Sequence, residues 1–177
     1  AWDAQAEDWS TAAASVTHYL YDGTNLIAEL DAATGLLLKS YTWDPTKQGG
    51  VGGLLSLTTY DEGAPDATYV PYYNSHGDVV GLLDQSTGTV TATYTYQAYG
   101  QVIITGNGLI CPFRWQTAYQ LDATDDPNTA ESDGIYCVGP RNILGERWLQ
   151  RDPSGEGNSK NLQEVDRGDP INRVDPT

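Results

Sequence analysis

Two Asp-Pro steps near the C-terminal end, Asp152-Pro153 and Asp175-Pro176, set a pair of carboxylates 23 residues apart in Arg- and Asp-rich surroundings. Carboxylates held close together cannot both ionise and so share a proton, which lets one activate water while the other protonates a leaving amide. Spacing alone does not bring these two together, since Asp before Pro is first of all a turn former. A second group of acids, Asp122, Asp125, Asp126, Glu131 and Asp133, has the oxygen density of a calcium site but not the spacing of an EF-hand loop. It reads as a solvated acidic loop, and calcium is the one cofactor it offers. His18 and His76 stand alone, and no Ser/His/Asp or Cys/His constellation points to nucleophilic catalysis or zinc. The glycine run Gly49–Gly53 lacks the Lys-Ser/Thr and the helix that a phosphate-cradling loop needs. Cys111 and Cys137 are the only cysteines. Their even number and the absence of metal-ligand spacing favour one disulfide in an oxidising compartment, with two buried free thiols as the alternative.

The bulk numbers narrow the partners. The 177 residues suit one domain or a slice of a larger one. With 24 acids against 9 bases the net charge is −15, which argues against nucleic acid and against anionic membranes. No apolar run reaches the length of a membrane span, and the first ten residues lack the basic start of a signal peptide. The opening AWDAQAEDWS also lacks an initiator Met, which reads as a processed or excised chain. Twelve Tyr and five Trp against one Phe suit half-buried sheet faces, where a polar tip meets water.

The elements that carry these residues are strands. From Thr17 onward, alternating apolar and polar positions are punctuated by Asp22-Gly23 and Thr34-Gly35, giving strands over His18–Tyr21, Leu26–Asp31 and Leu36–Trp43. The unit recurs 53 residues later: Asn25–Asp31 matches Asp78–Asp84, Thr34-Gly35 matches Thr87-Gly88, and Ser40–Trp43 matches Thr93–Tyr96. Such a repeat points to a modular β-array. Strands at Leu54–Tyr60 and Ala67–Tyr73 lie between the copies, and an Ile-rich strand ends at Thr105. The only helical turn in prospect is near Ser159–Val165.

These residues resemble the YD-repeat, or Rhs, proteins and their C-terminal Rhs repeat-associated core domain. The likeness rests on Tyr19-Leu-Tyr-Asp-Gly23, Gly50–Leu55, His76–Asp84 and Tyr94–Gly100. It rests further on the ordered series Pro112–Trp115, Gly134–Tyr136, Arg141, Gly145–Leu149, Arg151–Pro153 and Asp169–Pro176, so that it covers residues 17–177. The resemblance implies hairpins wound as a spiral sheet into a hollow shell around a payload, with a core domain plugging one end. It also implies a self-cleaving aspartyl site. Carried over, its pair is Asp152 and Asp175, as an ancestral or spent autoprocessing pair that Arg147 or Arg151 orients. Enzymatic activity is then at most a single self-cleavage. The family continues past the second Asp-Pro with Gly and an apolar residue, where the cut falls, whereas the sequence given ends at Thr177. It also departs from the family at Ser159-Lys160 and Gln163, and its acidic stretch Asp122–Asp133 is longer than usual.

The expected fold is all-β: antiparallel YD-type hairpins in a short open β-spiral with a C-terminal capping segment. The expected division is a tail or partner-contacting arm over 1–16, hairpin repeats over 17–108 and a core or capping segment over 109–177. Two repeats cannot close a shell, so the sheet edges must be met by other copies of the chain or by the rest of a larger Rhs shell. The expected role is structural, in the extreme an extracellular or cell-surface filament built head to tail, with the end-plug of a toxin-delivery shell as the alternative.

Overall fold

The computed structural model describes residues 2–3, 8–9, 16–47, 51–107, 111–120, 135–138, 141–144 and 147–150. A two-residue pairing of β1 (Trp2–Asp3) with β2 (Asp8–Trp9) opens the chain. Eight strands follow: β3 (Thr17–Asp22), β4 (Asn25–Asp31), β5 (Leu37–Trp43), β6 (Leu54–Asp61), β7 (Ala64–Tyr73), β8 (Val79–Asp84), β9 (Val90–Tyr96) and β10 (Val102–Gly106). They form one antiparallel sheet in strict sequence order, each strand paired with the one before it. A second antiparallel sheet runs β11 (Tyr119–Gln120), β12 (Tyr136–Val138), β13 (Arg141–Leu144) and β14 (Arg147–Trp148). The fold is thus all-β, antiparallel and open rather than closed.

The 53-residue repeat is visible in the packing. Leu26 and Val79 are both buried, as are Ala28 and Gly81, and Tyr41 and Tyr94. Asp31 and Asp84 build the same turn twice. Asp31 Oδ1 accepts the Ala33 and Thr34 amides at 2.9 and 2.7 Å, and Asp84 Oδ1 accepts the Ser86 and Thr87 amides at 2.8 and 2.9 Å. Donation from the Thr34 backbone, and from the Ser86 hydroxyl, holds the respective carboxyls below their ordinary range. Trp43 Nε1 donates to the Leu26 carbonyl at 2.7 Å and the Tyr96 hydroxyl to the Val79 carbonyl at 2.6 Å, again 53 residues apart. Tyr73 does the same for Leu54 at 2.5 Å. In each case an aromatic tip donates to a backbone carbonyl near the end of a strand.

Every pairing from β3–β4 to β8–β9 carries one irregularity, and each skips one residue of the later strand: Ile27, Leu38, Leu55, Asp66, Val80 and Thr91 in turn. Two of these pairs, Ile27 with Val80 and Leu38 with Thr91, are themselves 53 residues apart. Bulges bend a strand and add right-handed twist, so a regular series of them coils the sheet and gives it a concave side. Into that side packs Cys111–Tyr119. Phe113 meets Tyr41, Trp43 and Tyr119 edge to face, at centroid distances of 5.0, 4.9 and 5.3 Å. A smaller cluster of Trp115, Ala118, Tyr136, Ile143 and Trp148 joins the second sheet to the first.

Burial pushes the phenols of Tyr41, Tyr73, Tyr96 and Tyr119 up from 10.0. A raised folded value means that the folded state keeps protons the unfolded chain would release. Stability is therefore complete below about pH 10 and falls as pH rises beyond it. An alkaline titration followed at the phenolate absorbance is expected to show these four tyrosines ionising only as the protein unfolds.

Candidate functional site

The site that organises the described residues is the turn Arg114–Ala118. Its backbone is unusual: Gln116 and Thr117 both have positive φ, 51° and 56°. Left-handed geometry is costly for a β-branched residue, on the order of 1–3 kcal/mol, and persists only where the surroundings impose it. Three alternate hairpin turns, β5–β6, β7–β8 and β9–β10, all at one end of the large sheet, do so. From the first, the Gly52 amide donates to Thr117 Oγ1 at 2.7 Å. From the second, Asp78 Oδ1 accepts the Gln116 amide at 2.8 Å, the Gly77 carbonyl accepts the Thr117 hydroxyl at 2.7 Å, and the Val79 amide donates to the Arg114 carbonyl at 3.0 Å. From the third, Gly100 lies so close to the Trp115 ring that a Cβ there would sit 2.8 Å from it, and its carbonyl accepts the Tyr136 hydroxyl at 2.7 Å.

Asp78 is the hinge of this arrangement. It is buried, and its second oxygen accepts Asn74 Nδ2 at 2.7 Å while its own amide donates to Asn74 Oδ1 at 3.0 Å. His76 Nδ1 lies 3.2 Å from Asp78 Oδ1. A ring nitrogen facing a carboxylate carries the proton, which directs the basic Nε2 elsewhere. A cleft of about 510 Å³ opens alongside, lined by His76, Asp78, Val80, Tyr94, Thr95 and Trp115 among others. Arg114 is fully buried. Its Nε donates to the Cys111 carbonyl at 3.3 Å, its guanidinium to Gln120 Oε1, and it stands over the Tyr94 ring at 5.8 Å. The segment thereby keeps a charged side chain inside the core by supplying acceptors of its own.

Of the residues singled out in the sequence, Asp152, Asp175 and Arg151 lie outside the described residues, as does the acidic stretch from Asp122 to Asp133. Arg147 is described, exposed on β14 and paired with Leu144. The expected Cys111–Cys137 disulfide is not formed; both are free thiols. Cys111 belongs to the large core, 0 % exposed, with its thiol donating to the Phe113 carbonyl at 3.2 Å, whereas Cys137 stands half-buried in the second sheet opposite Tyr119 and Asn142. Burial pushes the Cys111 thiol up to about 11. His76, read as solitary, has Asp78 for a partner. The residues that build this clamp, Gly52, Gly77, Asp78, Gly100 and Trp115, stood in the sequence as marks of family likeness, and their joint role was missed. Their signal in the sequence was slight: a glycine in each of three alternate turns, Gly52, Gly77 and Gly100, each of which has positive φ.

Two outcomes follow. Asp78→Ala leaves the Gln116 and Asn74 donors without their acceptor and is expected to cost about 2–3 kcal/mol in urea unfolding, with Asp78→Asn milder. In native protein an alkylating reagent is expected to modify Cys137 much faster than Cys111, which reacts only when its surroundings open, with both modified under non-reducing conditions; peptide mapping distinguishes them.

No protein-family model matches the chain. Its sequence is 33% identical over 173 residues to the tRNA3(Ser)-specific nuclease WapA of Bacillus spizizenii, a match that takes in 92% of this chain. It is 33% identical over 172 residues to the tRNA nuclease WapA of Bacillus subtilis, which takes in 91%. The chain spans only 6% of the length of either relative. Both names specify tRNA, which the expectation from charge had set aside as a partner class and which nothing in the described residues tests. Among solved structures, a chain in the crystal structure of TcdB2-TccC3-Cdc42 superposes with a TM-score of 0.65 at 19% identity, over 90% of this chain and 8% of that one. Likeness of sequence and likeness of fold converge with the motifs: the chain is an Rhs-related β-protein.

Proposed function

We propose that this segment is structural: a stretch of the wall of an Rhs-type shell together with the piece that closes it, within a larger toxin-delivery protein outside the cell or at its surface. The clamp carries this reading. A sheet that only continued would leave its concave side open, whereas here Phe113, Arg114 and Trp115 fill it and three turns at one end of the sheet hold them there. The first edge strand supports it too. Among the described residues β3 pairs only with β4, it exposes Tyr19, Leu20 and Tyr21, and it carries neither Lys nor Pro to blunt it. Such an edge is a template for a further strand. Finally, the matched stretch is a small part of each relative, 6% of the nucleases and 8% of the solved chain.

Within this reading Asp152 and Asp175 are the aspartyl pair of a single self-cleavage beyond Thr177. One carboxylate activates water, the other protonates the departing amine, and Arg147 and Arg151 orient them. The test uses the whole polypeptide that contains this segment. Intact-mass analysis is expected to find it cut once, and Asp152→Asn and Asp175→Asn are each expected to leave it uncut while negative-stain images still show closed particles. A cut product in both variants rejects the aspartyl pair. A second reading rests on the same unblunted edge: copies pair edge to edge into a filament. Long fibres from the purified segment, in place of discrete particles, select that reading over the shell.

A further inference from the structure

Glu29 occupies in the first repeat the place that Leu82 fills in the second. Leu82 is 0 % exposed and Glu29 7 %, so a carboxylate stands where the fold elsewhere uses a core leucine. Taking a carboxylate out of water is unfavourable unless its lone pairs are met, and leucine at the same place carries no such requirement. Two hydroxyls meet it. Tyr41 donates to Glu29 Oε1 at 2.5 Å, and Tyr119 donates to the same oxygen at 3.3 Å. Tyr41 belongs to β5 of the large sheet, but Tyr119 belongs to β11, at the end of the segment that packs into the concave side. The Tyr119 hydroxyl also lies 3.4 Å from that of Tyr19 on the edge strand, and the two rings meet edge to face at 5.9 Å.

The hydrogen bonds of the turn fix Arg114, Gln116 and Thr117, but on the β3–β5 side the contact is otherwise aromatic: Phe113 against Tyr41 and Trp43, and Tyr119 against Tyr19. Apolar contact is non-directional and tolerates a shift along the surface, whereas a buried carboxylate is satisfied in one position only. We propose that Glu29 is a register pin: a positioning residue that forgoes the packing of a leucine so that the Tyr119 end of the Cys111–Gln120 segment, beyond the anchored turn, docks on β3–β5 in a single place, the one that brings the Tyr119 hydroxyl to it. The inference does not depend on the shell reading, since it concerns only the sheet and the segment docked on it.

The test measures native-state alkylation of Cys111, which becomes accessible only when the docked segment opens, with Cys137 in the same molecule as reference. Glu29→Leu is expected to keep or raise Tm while Cys111 reacts about tenfold faster relative to Cys137, because labelling through local opening follows the opened population. Glu29→Gln, which still accepts both hydroxyls, is expected to stay within about threefold of the parent, and Tyr119→Phe to behave like Glu29→Leu. An unchanged Cys111 rate in Glu29→Leu overturns the proposal. So does a fall in Tm with both cysteines accelerated alike, which would make the carboxylate a general contributor to stability. Tyr119→Phe at the parent rate overturns it as well.

Discussion

Everything described depends on a backbone turn that would not hold by itself. Gln116 and Thr117 adopt a left-handed geometry that neither side chain favours, and the hydrogen bonds that compensate come from residues 38 to 65 positions away. The strain and its relief are therefore coupled to tertiary structure: the turn exists only when the sheet is coiled enough to bring three hairpin turns around it. In the other direction, the filled concave side gives the large sheet a core that a lone curved meander would lack. Sheet and docked segment are conditions of each other, which is a route to cooperative folding in an architecture whose neighbouring contacts are otherwise local.

The repeat explains how such a sheet is written in sequence. The same three devices recur at a spacing of 53 residues: an Asp-nucleated turn, a bulge with one skipped residue, and an aromatic tip on a ladder-end carbonyl. None is confined to a motif. They are distributed so that each strand arrives at the next with the same bend, and the third copy of the aromatic device, at Tyr73, shows the rule operating between the aligned units. Where the copies differ the difference has content, as at Glu29 and Leu82.

What was legible in the residues followed from short-range rules. Hairpins at Asp22-Gly23, Thr34-Gly35 and Thr87-Gly88, and the strands between them, declare themselves by alternation and turn chemistry. The clamp did not, because Gly52, Asp78 and Thr117 come together only through the coil of the sheet and no periodicity links them. His76 looked solitary because its partner, two residues on, was read as part of a strand pattern and not as a buried acceptor. The disulfide failed for a related reason: counting cysteines says nothing about which layer each belongs to, and Cys111 and Cys137 belong to different ones. The candidate pair Asp152 and Asp175 was legible through resemblance alone.

The two ends of the large sheet are not equivalent. At one, Gly77 is close enough to Val51 that a Cβ would sit 2.5 Å from its side chain, and Gly100 is pressed against Trp115. At the other, Gly35 and Gly88 face open space, with nothing within 4 Å of a Cβ built there. Tolerance for change is therefore set turn by turn. Inserted epitopes, tags or natural loop variation can be accommodated beside Gly35 and Gly88 without touching the interior, while at Gly77 and Gly100 even one added methyl group displaces the closure.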